Sequence, residues 1–235
     1  MKGFKRLVLV AAVLTLCSVS ANGEANQDAV SSFSILGTNS TSVEASAVVH
    51  SGSVGVLVDM SLPEFPTPNP GSQPIEIGYG QTVSLQAGSY GNVTVRTDAT
   101  LVLGGGVYHF ENLDMGENNA MLCFEKATEL IINNRLEPGA NAIIGPCVGS
   151  GIDASDIRIY VNGSDGAGGS PNASPKAAGV GYENNVKANI YAPNGTILAK
   201  AGSVIEGALI GKDIIIGHDV EITLNSAFAE EGGAE

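Results

Sequence analysis

The 235-residue chain contains no Trp, and Phe and Tyr together supply only 12 residues. Large aromatic side chains therefore contribute little to its core and leave few platforms for stacking sugar rings. Charged residues make up 15% of the chain, whereas an average soluble domain has about 25%. Because 43% of the residues are apolar, the chain can still bury a core and is not a disordered acidic tail.

Positive charge is scarce, because 11 Lys and Arg residues face 24 Asp and Glu residues, which gives a net charge of −13. Proteins that bind nucleic acid use Lys and Arg to neutralise phosphates, so the composition excludes a basic nucleic-acid binder. The sequence also lacks a Gly-x-Ser-x-Gly elbow, a His-Glu-x-x-His zinc motif and a phosphate loop. No common catalytic motif therefore assigns an activity.

Long apolar runs are also missing, apart from residues 7–17, which follow Lys2, Lys5 and Arg6. This run is too short for a membrane span of about 20 residues, and it has the form of a signal peptide. We expect cleavage after Ala21, which removes three cations and no anions and moves the net charge from −13 to −16. The mature chain is then exported to the periplasm, the cell surface or the medium, without a transmembrane segment.

Cysteine and histidine are rare, with three residues of each type. Cys17 lies in the apolar run, where its lipidation is an alternative to simple cleavage. The remaining pair, Cys123 and Cys147, is expected to form a disulfide, because exported proteins fold in oxidising compartments. Two Cys and three scattered His residues are a poor ligand set for a metal, so we predict no metal site.

Glycine is abundant, with 31 residues, and it separates short segments that alternate between apolar and polar positions. Strand candidates recur about every 8 to 12 residues, a spacing typical of sandwiches, barrels and solenoids. They cover residues 83–85, 93–95, 101–103, 107–110, 121–124, 130–132, 142–144 and 157–161. Two earlier candidates lie in residues 33–37 and 47–56.

A repeat near the C-terminus distinguishes among these folds. The strand–turn pattern of residues 191–194 is repeated at residues 210–213, and that of residues 203–205 at residues 219–222. A repeat of about 16 to 20 residues with three short strands predicts an all-β fold, a single-stranded parallel β-helix of right hand. Neighbouring coils of such a solenoid would place Cys123 and Cys147 about 4.8 Å apart, within disulfide reach.

The solenoid prediction divides the chain into five segments. Five prolines between residues 62 and 75 exclude a helix or a sheet interior, so this segment is an extended linker or a strap across a surface. The predicted segments are a signal peptide (1–21), a Ser-rich segment with short strands (22–61), the Pro-rich linker (62–75), the β-helix (76–228) and an acidic tail (229–235).

Two sequence elements resemble a known group of proteins. Residues 101–113 (LVLGGGVYHFENL) resemble an "LxLxGGxYYFxNL" element, and residues 190–195 with 207–212 resemble its "IYAPNA…GAxVGK" closing coils. Such elements occur in exported bacterial β-solenoid domains, including those of type IV pilus assembly-related proteins and surface adhesins. The resemblance implies a structural or adhesive role at the cell surface, with a pilus, a surface protein or a glycan as partner, and it supplies no catalytic residue.

Residues 33–37 and 52–56 weakly resemble the opening phrase of ice-binding solenoids. Ice-binding faces carry regular arrays of Thr, and no such ladder is evident at the Thr residues 94, 128, 196 and 223. A glycan- or ice-binding module therefore stands as an alternative function.

A carbohydrate-active enzyme is the remaining alternative, and a glycosidase needs two carboxylates about 5 to 9.5 Å apart. Asp153 and Asp156 beside Arg158 form the densest charged cluster, and Asp98 with Asp114 could share one side of the solenoid. The same residues suit Gly-rich turns, in which Asp stabilises the bend, and this is the interpretation we favour.

The three His residues (His50, His109 and His218) fit structural roles better than catalytic ones, and Asp156, Asp165 and Glu183 could hold a cation weakly. We therefore predict a non-catalytic, structural or adhesive exported solenoid without a cofactor. Its uncapped ends could add coils from a second copy.

Overall fold

The first coils of the chain contain three short strands each, because apolar residues alternate over only a few positions before Gly, Asn or Asp turns the backbone. The computed structural model describes residues 28–56, 62–116, 118–166 and 173–228. The predicted signal peptide, Cys17 and the acidic tail lie outside these residues.

The N-terminal part contains helix α1 (Asp28–Ser31) and strands β1 (Phe33–Val43), β2 (Val48–Val49) and β3 (Ser53–Val56). The next coils contain β4 (Ile75–Ile77), β5 (Thr82–Leu85), β6 (Gly88–Ser89), β7 (Asn92–Val95), β8 (Thr100–Leu103), β9 (Gly106–Phe110), β10 (Asn112–Met115), β11 (Met121–Phe124) and β12 (Thr128–Ile132). The later coils contain β13 (Leu136–Pro138), β14 (Ile143–Pro146), a 3-10 turn (Ala154–Asp156), β15 (Ile157–Val161), β16 (Ala178–Val180), β17 (Asn185–Lys187), β18 (Asn189–Ala199), β19 (Val204–Glu206), β20 (Leu209–Ile216) and β21 (Glu221–Thr223).

Strands of successive coils pair in parallel, each with the equivalent strand of the coil above and below. β4 pairs with β7, β7 with β10, and β10 with β13, and the other two strands of each coil repeat this pattern. The result is a parallel β-solenoid of about nine turns. The predicted all-β solenoid class is therefore confirmed.

The stacked strands form three faces, which we name by what lies on their outer surface. The covered face consists of β6, β9, β12 and β15, the first halves of β18, β20 and β1, and then β3. The cleft face consists of β4, β7, β10, β13 and β16, followed by the second halves of β18, β20 and β1. The open face consists of β5, β8, β11, β14, β17, β19, β21 and β2.

One residue in each coil has a left-handed backbone where the chain turns from the cleft face to the open face. The φ angles of these residues lie between 55° and 74°, a region that favours Gly, Asn and Asp. Along the solenoid they are Gly80, Asp98, Asn119, Asn141, Glu183, Gly202, Asp219 and Ser46. These eight turn residues thus stack above one another in successive coils, and we call them the turn column.

The core is narrow and consists mostly of Ile, Leu, Val and Ala side chains that are fully buried between the three faces. Its largest members are Tyr108, Phe110 and Phe124, all from the second and third coils. A cross-section closed by three strands leaves room for few large rings, which accounts for the absence of Trp from the sequence.

The N-terminal segment continues the solenoid where the C-terminal coil ends. Ile35 pairs with Leu209 and Thr41 with Ile214. β1 therefore runs parallel to β20 on the covered face and again, after the bend between the two faces, on the cleft face. β2 then pairs with β21, and β3 with β1. The sequence predicts short strands in this segment, and the structure places them at the end of the solenoid opposite β4.

The Pro-rich segment connects the two ends of the solenoid as a strap. Residues 62–74 contain no strand. The Phe65 ring lies 5.7 Å from the rings of both Tyr160 and Tyr191. Farther along, the Asn69 N–H donates to His109 Nδ1 at 3.2 Å. Of the two predicted alternatives, linker or strap, the structure shows the strap.

Candidate functional site

The covered face is closed to partners by the chain itself. Its outward side chains form a ladder across neighbouring strands, and these side chains are buried: Leu36, Ile210, Tyr191, Tyr160 and Ile131. Val30 of α1, Phe228 and the strap residues Leu62 and Phe65 pack against this ladder. Burial raises the pKa of Tyr191 to about 12, because the phenolate would have to lose its hydration. This part of the face therefore stabilises the fold.

Asp153 and Asp156, the sequence's enzyme candidates, form the capping box of the 3-10 turn. Asp153 Oδ1 accepts hydrogen bonds from the N–H of Ser155 at 2.8 Å and from its hydroxyl at 2.7 Å. The hydroxyl bond is the larger cause, ahead of the backbone bond, of a lowered Asp153 pKa. Asp156 Oδ2 accepts from the Asp153 N–H at 3.1 Å. Both carboxylates therefore stabilise a turn.

Arg158, the third member of that cluster, points to other partners. Its Nη1 lies 3.1 Å from Glu129 Oε1, and its Nε donates to the Ala227 carbonyl at 3.1 Å. Arg158 therefore links two coils and the C-terminal segment, and it makes no recorded contact with either Asp153 or Asp156. The structure does not assemble these three residues into an acid–base site.

The other acidic candidates lie at different places in the fold and have different structural roles. Asp98 is a left-handed turn residue whose Oδ1 accepts from Asn119 Nδ2 at 2.9 Å, whereas Asp114 lies on the cleft face. Asp165 is buried and accepts from the N–H groups of Thr196 and Ala177 at 2.9 and 3.1 Å. Glu183 is an exposed turn residue. Within the described residues, no three His, Cys, Asp or Glu side chains are grouped to hold a metal ion.

Charge is absent from half of the open face. The strands β5, β8, β11 and β14 read TVSL, TLVL, MLCF and IIGP, without one charged side chain. Val102 and Cys123 are register neighbours on its outer side, and Ile143 is 44% exposed. The following strands differ, because Lys187 pairs there with Glu206 at 3.1 Å. On an acidic protein, this uncharged area is the part of the open face best suited to contact an apolar partner.

The Cys123–Cys147 disulfide lies at the edge of this uncharged area. It joins neighbouring coils, since Cys123 is in β11 and Cys147 directly follows β14, and the two Cα atoms are 4.9 Å apart. The sequence predicts this bond from the compartment and from coil stacking. Its position ties together the two strands with the most apolar outward side chains.

Threonine does not form an array on any face of the solenoid within the described residues. Thr94 lies on the cleft face, Thr128 and Thr196 are buried, and Thr223 is exposed near the C-terminal end of the open face. Thr82 and Thr100 are neighbours on the open face, but Met121 occupies the next position of that row. The regular Thr ladder that would favour ice binding is therefore not formed on the open face.

A polar cleft of about 270 Å³ crosses three strands of the cleft face. The register puts Asn92 beside Asn112 and Thr94 beside Asp114. Asp114 in turn lies beside Glu137. Asn112 Nδ2 donates to Asn92 Oδ1 at 2.8 Å, and this bond uses only one of the four amide N–H donors of the pair, so both donors and acceptors remain for a ligand.

Arg135 completes the cleft from the residue that precedes β13. Its backbone carbonyl accepts from the Leu113 N–H at 2.9 Å, which fixes it next to Asn112. Its Nε is buried and has no hydrogen-bond partner among the described residues. Arg96 pairs with Glu76 and Arg158 with Glu129, whereas Arg135 forms no ion pair with another described residue. A buried donor without a partner costs about 1–3 kcal/mol, and more when it is charged.

Sequence reasoning named Asp114 but did not find the rest of this cleft. The cleft residues come from three coils, about 20 residues apart in sequence, and no local motif unites them. The available signal was the recurrence of Asn at positions 92 and 112, in the same place of consecutive coils, followed two residues later by Thr94 and Asp114.

No helix of the described residues is long and apolar enough to cross a membrane. Comparisons of the chain with protein-family models, curated proteins and solved structures found no match.

Proposed function

We propose that this chain is an exported, non-catalytic adhesive element of the bacterial cell surface. The observation that carries the proposal is the uncharged half of the open face, formed by β5, β8, β11 and β14. Apolar area that remains exposed on a monomer is typical of a protein-binding surface. The exposed Ile143, together with Val102 and Met121, supplies apolar contact area on this face.

The partner that fits this surface is another protein. Burial of aliphatic side chains contributes about 25 cal/mol per Å² of apolar area, and such contacts do little for a hydrated sugar chain. The surrounding acidic surface repels acidic proteins everywhere except at this uncharged area, which favours one orientation of the complex. A pilus subunit or another surface protein with an apolar strand face has the required chemistry.

The disulfide supports a role outside the cytosol, because such bonds persist in oxidising compartments. The signal peptide predicted from the N-terminal sequence supports the same location. A solenoid locked between neighbouring coils keeps its outer side chains in fixed register, which lowers the conformational cost of binding.

The proposal is tested by binding of the purified chain to intact cells of its own source. We expect saturable binding that falls at least tenfold in a Val102→Lys/Ile143→Lys variant, because two charges would be buried without partners. Ser42→Lys, at an exposed position of the cleft face outside its polar cleft, is the control and should bind as the original chain does. Equal binding of all three chains would contradict the proposal.

Self-association through the ends of the solenoid is a second candidate, favoured by the free edges of the terminal coils. Val83 and Leu85 are only partly buried at one end, and Val49 and Val54 at the other. Parallel strands at both ends have the orientation needed to stack coil on coil. Sedimentation velocity over a range of concentrations tests this candidate: growing filaments support it, and a constant monomer excludes it.

A further inference from the structure

We propose that the polar cleft on the cleft face is a binding site for a neutral glycan. The proposal rests on the six polar side chains of the cleft, Asn92, Thr94, Asn112, Asp114, Arg135 and Glu137. It concerns a different face from the protein-docking surface proposed above and is independent of it.

The dimensions of the cleft fit a short piece of a sugar chain. Asn112 and Asp114 are two residues apart on one strand, so their side chains are about 7 Å apart along it. The three strands β7, β10 and β13 extend the polar surface by about 10 Å across the sheet. An area of this size covers about one disaccharide.

The hydrogen-bonding groups of the cleft match hydroxyl groups. Each sugar hydroxyl can donate one hydrogen bond and accept others, and the cleft offers both kinds of partner. Asp114 and Glu137 are acceptors only, the Arg135 guanidinium is a donor only, and the Asn92–Asn112 pair retains groups of both kinds. The Arg135 guanidinium lines the cleft and supplies its cationic donor for a hydroxyl oxygen.

The charges of the cleft favour a neutral ligand over an ionic one. Asp114 and Glu137 outnumber Arg135, and the chain as a whole carries −13, so a polyanionic sugar is repelled. A divalent cation is also a poor ligand, because the cleft has two carboxylates next to a guanidinium. The missing aromatic platforms predict weak affinity, which many coils or many copies could raise by multivalency.

NMR titration of the full-length chain with a panel of neutral oligosaccharides tests the proposal, with oligogalacturonate as the anionic comparison. We expect at least one of the gluco-, manno-, xylo- or galacto-oligosaccharides to shift amide resonances in β7, β10 and β13, and oligogalacturonate to bind more weakly. Arg135→Gln and Asn112→Ala should each weaken binding about tenfold, which corresponds to about one hydrogen bond to a ligand.

Lys187→Gln, which removes one positive charge from the open face, is the control and should leave the affinity unchanged. Melting temperatures establish that the variants are folded. If Arg135→Gln does not fold, Asn112→Ala still tests the proposal. Three results would overturn the proposal: no cleft shift with any neutral sugar, tighter binding of oligogalacturonate, or unchanged affinity of the folded cleft variants.

Discussion

The left-handed turn residues determine where each coil changes from the cleft face to the open face. Gly, Asn and Asp occupy most of this column, since they tolerate a positive φ at low cost. Ser46 and Glu183 are the exceptions, and Glu183, with a φ of 55°, has a side chain that favours neither the turn nor a cap. It is exposed, so the strain at this position is not compensated by burial.

Glu183→Gly is therefore expected to raise the free energy of unfolding by about 0.5–1 kcal/mol, because the relief of left-handed strain exceeds the entropy that Gly adds to the unfolded chain. Gly202→Ala, in the next coil of the same column, should lower it by about 1 kcal/mol. Urea titrations measure both. Destabilisation by both changes would show that the turn column does not carry this strain.

His109 is a titratable residue that accepts a hydrogen bond from the strap. Burial lowers its pKa, because the imidazolium would lose hydration, and the neutral ring accepts the Asn69 N–H. The unfolded state then binds more protons than the folded state. The contribution of neutral His109 to stability is thus fully present above a pH of about 6.5 and is lost as pH falls through the lowered folded pKa.

We expect His109→Gln, which keeps a side-chain acceptor without titrating in this range, to show a smaller loss of stability than the original chain between about pH 7 and pH 5. Thermal melts across this range give the comparison. The substitution changes no other titratable residue, so the difference between the two curves reports on His109. An identical loss in both chains would exclude His109 as a contributor.

At the scale of elements, the disulfide joins the third and fourth coils. It closes a loop with a sequence separation of 24, for which the entropic estimate is about 3 kcal/mol of stabilisation. We expect Cys123→Ser/Cys147→Ser to lose about this amount in a guanidinium titration. Thiol labelling of the purified exported chain should find neither residue reactive, whereas two reactive thiols would refute the bond.

The strands of the middle coils could be predicted because each has a local signature. Residues 101–103 and 121–124 alternate between inward and outward side chains and lie between turn residues, and the structure places strands over both. The repeat at residues 191–194 and 210–213 also predicts a real register, since Tyr191 pairs with Ile210. Local alternation suffices where the pairing partner is one coil away.

Long-range placement could not be predicted from the same patterns. β1 lies beside β20 although about 175 residues separate Ile35 from Leu209 in sequence, and no repeat connects them. The cleft likewise needs side chains from three coils. Alternation tells which residues point outward, but only the stacking order tells which outward residues meet.

At the scale of the whole molecule, the N-terminal segment behaves as the continuation of the C-terminal coil. Val30 and Phe228 belong to one apolar cluster, so the two ends of the described chain lie on the same part of the covered face. The strap then returns along this face to the first coil. The order of coils in space is therefore a circular permutation of their order in sequence.

A permutant that joins residue 228 to residue 28 through a short Gly-Ser linker, and opens between residues 56 and 62, is expected to fold. Its strands would then follow their spatial order, and the contacts of the coils are retained. Circular dichroism and the melting temperature compare it with the original chain. Loss of the cooperative transition would show that the strap connection is required for the fold.

The central functional claim is that a protein partner docks on the uncharged half of the open face. A photo-crosslinking residue at Ile143 on this face, with Ser42 on the cleft face as the exposed control position, locates the contact on the chain in its native cells. We expect a discrete crosslinked protein from position 143, none from position 42, and loss of the product when Val102→Lys is added. Crosslinks of equal yield from both positions, or from neither, would contradict it.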